Sequence, residues 1–278
     1  MNYFSANEVI KQFGQKAKTK CQFGLGQALC LGILAGAFIA IGYLAFIRVS
    51  GVVPKAWSSL ANFLGACVFP IGLLAITFCG GELVTGNMMV LTFGRLEQQV
   101  DFAKMIKNWC LILIANCIGG ALIGVLFGHV VGLTEGDFAA KTMAVALAKV
   151  GDSPLQMIVS GIGCNLLVGM AIFLGAMSRD FMGKLVGVWF PIMIFVLCGF
   201  QHVVANAFIL TAGVLAGATI STWQLLENIL LVFIGNAIGG ALFFAVPVYV
   251  ANVSIPGAKK PVTQTQPVTE RMIINEKE

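Results

Sequence analysis

The chain has 278 residues, of which 58% are hydrophobic and only 10% are charged, and its formal net charge is +5. A soluble domain needs about 25% charged residues to cover its surface, so this composition excludes a soluble protein and indicates an integral membrane protein. The basic residues are scattered along the chain, and we therefore expect a lipid bilayer and no nucleic acid as a partner.

The two termini are the most polar parts of the chain. Residues 1–24 predict a cytoplasmic amphipathic helix, because Val9, Ile10 and Phe13 form an apolar stripe among lysines. Ser5 and Glu8 have the spacing of a capping box, which marks the start of this helix. A helix of this type is expected to lie at the membrane interface. Residues 252–278 are rich in Pro, Thr and Gln and predict a disordered cytoplasmic tail.

Between the termini lie apolar runs at residues 25–47, 56–94, 108–134, 153–178, 185–226 and 228–251. Each run is long enough to cross about 30 Å of hydrocarbon. The second and fifth runs are too long for one span, so each is either two helices or one interrupted helix. Six spans place thirteen Lys and Arg on one side and four on the other, whereas eight spans divide them 10 to 7. The excess of positive charge inside the cell favours six spans with both termini cytoplasmic.

The two halves of the transmembrane channel domain, residues 25–251, resemble each other. The segment from Asn116 to Leu122 recurs 120 residues later as the segment from Asn236 to Leu242. Three spans per half is an odd number, so the second half must enter the membrane from the opposite side. The predicted fold is therefore an all-α membrane protein with a 3+3 inverted repeat, in which repeat one covers about 25–134 and repeat two about 153–251. Its second and fifth spans are interrupted, at residues 80–87 and 199–206.

Polar side chains at membrane depth are costly and are therefore candidates for function. His202 lies in the second predicted break, and a neutral imidazole can donate a hydrogen bond to a small anion without holding it as a fixed cation would. Thr85 and Asn165 are predicted to add hydrogen bonds or to fix the tautomer of this ring. The remaining polar residues at this depth are Glu82, Asn87, Gln201 and Asn206.

A single carboxylate does not make a cation site, so Glu82 is interpreted as a residue that stabilises its own loop by accepting hydrogen bonds from backbone N–H groups. Asn87 and Asn206 are equivalent in the repeat and are expected to stabilise the two broken helices in the same way. With only two histidines in the chain, a bis-histidine haem site is not expected, and no other cofactor or metal is predicted.

Six segments together resemble the formate/nitrite transporter family, and they follow the order found in that family. They run from Gly80 to Asn87, Leu91 to Gly94, Ala146 to Lys149, Cys164 to Val168, Gly199 to Asn206 and Gly235 to Gly240. The resemblance implies an aquaporin-like protomer in a bacterial or archaeal plasma (inner) membrane. It also implies a homopentamer with one pore in each protomer.

The resemblance also implies roles for individual residues. His202 matches the central pore histidine, with Thr85 and Asn165 as its polar neighbours, and Lys149 matches the lysine that concentrates anions in the outer vestibule. The outer apolar constriction corresponds to Phe69, Leu73 and Phe195, and the inner one to Leu83 and Val84. Family members commonly carry Glu directly before the histidine, whereas this chain carries Gln201. That departure bears on how the pore histidine is protonated.

The implied function is a channel or transporter for small monovalent weak-acid anions, not an enzyme. Formate is the first choice of substrate, nitrite is second, and hydrosulfide is the alternative within the family. Passive transport, proton-coupled transport and gating by residues 1–24 all stay open. Three alternatives belong to other classes: a water or glycerol channel, a haem or quinone enzyme, and a membrane scaffold. A water or glycerol channel usually has paired Asn-Pro-Ala loops, which this sequence lacks.

Overall fold

The computed structural model describes residues 3–253, and within them the regular structure is entirely helical. All but the first two residues of the predicted disordered tail lie outside the described residues. The helices, in chain order, are α1 (Ala6–Lys20), α2 (Leu25–Ser50), α3 (Ser58–Val68), α4 (Ile71–Cys79), α5 (Val84–Leu96), α6 (Phe102–Ile123), α7 (Ala139–Gly151), α8 (Pro154–Met177), α9 (Phe181–Leu197), α10 (Val203–Leu215), α11 (Thr222–Ile238) and α12 (Val246–Asn252). Helical turns of wider pitch continue α6 over Gly124–Val130 and join α11 to α12 over Gly239–Ala245.

The predicted capping box begins α1. The Ser5 hydroxyl accepts a hydrogen bond from the Glu8 N–H at 3.3 Å, and the Glu8 carboxylate accepts one from the Ser5 N–H at 2.7 Å. The apolar stripe of α1 is buried against α5, where the rings of Phe13 and Phe93 stack with centroids 5.9 Å apart. The expectation of a helix resting on lipid is therefore corrected, because the apolar face of α1 packs on protein.

Five helical segments of the described chain are long and apolar enough to cross a membrane. They are Leu25–Ser50, Lys55–Cys79, Phe102–Val130, Pro154–Met177 and Thr222–Asn252. The apolar helices α9 and α10 are shorter, with 17 and 13 residues, because the chain leaves the helical path between them.

Breaks occur in both regions where the sequence predicts them. Residues 80–83 separate α4 from α5, and residues 198–202 separate α9 from α10. Each break has a left-handed glycine at its first or second residue, Gly80 with φ of 90° and Gly199 with φ of 71°, a conformation that favours glycine. The helix restarts at Val84 in the first half and at Val203 in the second.

Glycines bring helix backbones into direct contact in both halves. A Cβ added to Gly119 would overlap the carbonyl of Ile33, which joins α6 to α2, and a Cβ added to Gly239 would overlap the carbonyl of Ile162, which joins the end of α11 to α8. Small residues allow this approach between apolar helices. The two halves therefore use the same kind of helix pair as their framework.

The helices α1 and α7 lie at opposite ends of the bundle. Four residues separate α1 from α2, and α2 runs for 26 residues, about 39 Å at the rise of an α-helix. At its far end the Arg48 guanidinium lies 3.7 Å from the ring centroid of Phe138, the residue just before α7. We refer below to the α1 end and the α7 end of the bundle.

Candidate functional site

His202 and Thr85 meet where the two broken helices restart. His202 caps α10, and its Nδ1 accepts a hydrogen bond from the Ala205 N–H at 3.2 Å. Because Nδ1 is an acceptor, the neutral ring carries its hydrogen on Nε2, which lies 3.1 Å from the Thr85 hydroxyl oxygen. The Thr85 hydroxyl oxygen therefore accepts from the imidazole. Both side chains are buried, with 2% of His202 and none of Thr85 exposed.

The Thr85 hydroxyl differs from other threonine hydroxyls on the same chain. Thr77 and Thr92 donate their hydroxyl hydrogens to carbonyls four residues earlier, at 2.7 and 2.6 Å. Thr85 makes no such bond, and its hydroxyl hydrogen has no acceptor among residues 3–253. A hydroxyl that accepts from an imidazole and keeps its own hydrogen free is a donor for an incoming anion.

Asn165 positions the backbone of this site and does not contact the imidazole. Its amide donates to the carbonyls of Thr85 at 3.1 Å and Asn236 at 2.7 Å. The tautomer of His202 is fixed by the Ala205 N–H, a role that the sequence assigned to Thr85 or Asn165. Asn165 instead ties the first turn of α5 to α11.

The first break is held by an asparagine that the sequence analysis did not assign to the site. Asn116 on α6 accepts a hydrogen bond from the Val84 N–H at 2.8 Å. Its amide donates to the carbonyls of Gly32 and Glu82, both at 2.8 Å. One side chain thus satisfies backbone groups at the end of the break, where the helix restarts, and ties them to α2.

The second break is held by the same three bonds. Asn236 on α11 accepts from the Val203 N–H at 3.0 Å. Its amide donates to the carbonyls of Gly161 at 2.9 Å and Gln201 at 3.0 Å. The signal was present in the sequence, since Asn116 and Asn236 both begin the repeated segment, but repetition alone does not say what an asparagine holds.

Glu82 forms a buried ion pair with Lys20, the last residue of α1, at 2.5 Å. The Asn87 amide donates to its other carboxylate oxygen at 2.8 Å and to the Asn108 side chain at 2.9 Å. The expectation that backbone N–H groups of its own loop neutralise Glu82 is therefore wrong, because a lysine from a separate helix supplies the charge. Sequence reasoning missed Lys20 because it placed this residue on a helix lying on lipid.

We expect replacement of Lys20 by methionine to destabilise the protein by about 3 kcal/mol, because it leaves the buried carboxylate of Glu82 without a partner charge. The measurement is the melting temperature of the purified protein. Lys18→Met is the matched control, since Lys18 is exposed on the same helix. The double variant Lys20→Met, Glu82→Gln is expected to recover most of the loss. Equal melting temperatures for the Lys20 and Lys18 variants would contradict the prediction.

At the equivalent place in the second half stands Gln201. Its side-chain oxygen accepts from the Asn206 amide at 2.6 Å, as Glu82 accepts from Asn87. Its Nε2 donates to the carbonyl of Lys149 at 3.0 Å and to the carboxylate of Asp152 at 2.8 Å. The Lys149 ammonium donates to two carbonyls of the break, at 2.9 Å to that of Gly199 and at 3.1 Å to that of Phe200.

Two cavities approach the centre of the bundle from its two ends. The cavity at the α7 end has a volume of about 430 Å³, and its lining includes Lys149, Asp152 and His202. The cavity at the α1 end has a volume of about 250 Å³, and its lining includes Lys20 and Asn87. Thr85, the hydrogen-bond partner of His202, is fully buried and lines neither of these two cavities.

The predicted constriction residues are all buried, and four of the five line one of these two cavities. Phe69 and Phe195 line the larger cavity with their rings edge to face and centroids 5.5 Å apart, and the Phe195 ring also stacks on His202. Leu73 and Leu83 line the smaller cavity. The sequence grouped Leu73 with the phenylalanine pair, but it lines the other cavity. Val84 is fully buried at the start of α5.

Comparison with known proteins identifies the family. The formate/nitrite transporter family matches residues 7–250. The chain belongs to this family. It is 46% identical over 77% of its length to the formate channel BtFdhC of Bacillus thuringiensis, covering 83% of that protein. It is 42% identical over 95% of its length to the uncharacterized transporter YrhG of Bacillus subtilis (strain 168), covering 99% of that protein.

Solved structures show the same fold as this formate/nitrite transporter. One described as an FNT family ion channel superposes with a TM-score of 0.82 at 21% identity, covering 88% of this chain and 99% of the other. A pentameric formate channel with formate bound superposes with a TM-score of 0.71 at 21% identity, covering 83% and 98%. The family and the fold thus agree with the resemblance found in the sequence.

Proposed function

We propose that the chain is a channel for small monovalent weak-acid anions and that formate is its main substrate. The observation that carries the proposal is the buried Thr85 hydroxyl, which accepts from the neutral imidazole of His202 and keeps one hydrogen free to donate. One donor of this kind fits one small anion and offers no fixed charge that would retain it. The relative named as a formate channel, at 46% identity, supports formate as the substrate.

The two cavities support a path for the anion through the bundle. Lys149 gathers anions at the α7 end, which we assign to the outside of the cell because the lysine-rich termini favour a cytoplasmic α1 end. The anion passes between Phe69 and Phe195 and reaches the Thr85 hydroxyl. Beyond Leu73 and Leu83 it enters the cavity at the α1 end.

Crossing the apolar constrictions sets the energetic problem. Moving a carboxylate-sized ion from water into a medium of low dielectric constant costs about 20 kcal/mol in the idealised limit. Protonation of the anion removes most of this cost, because a neutral acid carries no net charge. We therefore propose that the anion, oriented by Thr85 and His202, takes up a proton that the water of the α7-end cavity relays from the outer solution, and that it crosses the inner constriction as the neutral acid.

The proposed architecture of the protein is a homopentamer. Each protomer crosses the membrane six times, as two inverted halves of three spans. The identical hydrogen bonds of Asn116 and Asn236 at the two breaks support the repeat. The solved neighbour described as a pentameric formate channel supports the oligomer. The mass of the detergent-solubilised complex, corrected for bound detergent, is expected to be five times that of one chain.

Proteoliposomes test the function. Uptake of formate is expected to exceed uptake of nitrite and hydrosulfide, and to rise when the outer solution is made more acidic than the lumen. His202→Asn is expected to change this pH dependence, because it removes the imidazole that polarises Thr85. Vesicles that swell with glycerol but take up none of the three anions would refute anion transport and favour a neutral-solute channel.

Lys149 should give transport an alkaline limit. Burial lowers the pKa of the Lys149 ammonium to about 8, although the nearby Asp152 carboxylate acts in the opposite direction. The ammonium is charged below this pH and loses its charge above it, so anion uptake at equal pH on both sides is expected to fall as the pH rises through about 8. In Lys149→Arg the pH at which uptake falls should rise to above about 9, because the guanidinium group stays protonated.

A matched pair of variants checks this expectation. Lys149→Met is expected to transport about tenfold more slowly than the wild type at neutral pH and to lack the additional fall near pH 8, because it has no charge to attract the anion or to be lost. Lys141→Met, which removes another lysine lining the same cavity, is the control for general electrostatics. An alkaline fall in Lys149→Arg at the same pH as in the wild type would show that Lys149 is not the titrating group.

A further inference from the structure

The two cavities contain lysines at equivalent places. The side-chain amide of Asn108 donates to the carbonyl of Lys20 at 3.4 Å, and that of Asn228 donates to the carbonyl of Lys149 at 2.7 Å. Both asparagines also accept a hydrogen bond from the asparagine that follows a break, Asn87 or Asn206. The lysine at the end of α1 and the lysine near the end of α7 are thus counterparts.

The carboxylates of the two cavities are arranged differently. At the α1 end Glu82 contacts the ammonium of Lys20 directly. At the α7 end the corresponding position is the neutral Gln201, and the Lys149 ammonium contacts two carbonyl oxygens. A carboxylate is nevertheless present there, because Asp152 lines the cavity and accepts a hydrogen bond from Gln201.

The hydrogen bonds of Gln201 explain why a glutamine stands here. Its Nε2 lies between two acceptors, the Asp152 carboxylate and the Lys149 carbonyl, and donates to both. A glutamate side chain in this place would present an oxygen to a carboxylate and a carbonyl, which repel it. Gln201 is therefore a suitable hydrogen-bond donor for Asp152. The negative charge of Asp152 lies outside the second break and reaches it through Gln201, whereas in the first half the negative charge is on Glu82, within the break.

We infer that Asp152 is a positioning residue of the α7-end cavity, which moderates the attraction of Lys149 for anions through the bridging amide of Gln201. The inference rests on the proposed anion transport. No carboxylate contacts the Lys149 ammonium directly among the described residues, so Lys149 stays available to an anion. The Lys20 ammonium, in contrast, is already paired with the carboxylate of Glu82. The negative charge of Asp152 nearby weakens the hold of Lys149, so that the anion moves on to Thr85.

The test is the apparent KM and maximal rate of formate uptake from the α7 end. In Asp152→Asn the KM is expected to fall about threefold and the maximal rate to fall with it, because removal of a nearby negative charge strengthens anion binding and slows release. Gln201→Glu in this background returns a carboxylate to the cavity and should bring the KM back toward that of the wild type. Gln201→Glu alone places two carboxylates together and should raise the KM. Asp137→Asn, at an exposed aspartate in the turn before α7, is the control.

The outcomes separate this inference from the proposed function. A wild-type protein that transports none of the anions refutes the proposed function, whereas transport with the same KM in the Asp152→Asn and Asp137→Asn variants refutes the role of Asp152 alone. Melting temperatures test the contact without transport: Asp152→Ala and Gln201→Met should each lower the value, and the double variant should lose less than the sum. Additive losses would overturn the inferred partnership.

Discussion

Replacing Thr85 with valine is expected to reduce formate uptake about a hundredfold while the folded complex survives. Valine has the shape of threonine, so packing is preserved in a site where Thr85 is fully buried. The substitution removes the donor for the anion and leaves the Nε2–H of His202 without an acceptor. The loss of a hydrogen bond to a charged group in a buried site is worth about 1.5–3 kcal/mol, which corresponds to roughly 10- to 150-fold in rate.

Thr85→Ser separates the hydroxyl from the methyl group. Serine keeps the hydroxyl and loses only the methyl, so it is expected to retain transport within about threefold of the wild type, a cost of well under 1 kcal/mol. The measurement is the initial rate of formate uptake into proteoliposomes with matched amounts of reconstituted protein. Comparable rates for Thr85→Val and Thr85→Ser would show that the hydroxyl does not serve the anion, and the central donor would then have to be sought elsewhere.

The positions of the breaks were predictable from the sequence because their causes are local. Gly80 and Gly199 adopt left-handed conformations that end a helix, and no other residue does so without strain. Internal similarity pointed to the same two places. His202 and Thr85 also followed from the sequence, because polar residues in an apolar chain have few alternatives to lying inside the bundle.

The partners of these residues were not predictable, because they are set by packing between distant segments. Lys20 reaches Glu82 across 62 positions of the sequence, and this contact exists only because α1 packs on α5 instead of on lipid. An amphipathic pattern gives the apolar face of a helix but not the surface that covers it. Asp152 likewise showed no motif, and its significance depends on one hydrogen bond to Gln201.

The two breaks depend on Asn116 and Asn236, and replacement of either asparagine by leucine is expected to prevent folding of the respective half. Each asparagine makes three hydrogen bonds to backbone groups that have no water around them, one with the N–H that starts a helix and two with carbonyls. Leaving a buried polar group unpaired costs about 1–3 kcal/mol. The summed cost of three unpaired groups is therefore comparable to the free energy of unfolding of an ordinary domain.

Aspartate in place of either asparagine gives the intermediate case. A carboxylate still accepts from Val84 or Val203 but cannot donate to the two carbonyls and places a charge beside them. The expected order of melting temperature and of pentamer recovered from detergent is wild type, then aspartate, then leucine, with the same order at both positions because the two sites make the same bonds. Asn252→Leu, at an exposed site, is the control. If leucine were tolerated at Asn116 but not at Asn236, the two breaks would not be equivalent, which would contradict the inference that the two halves are structural repeats.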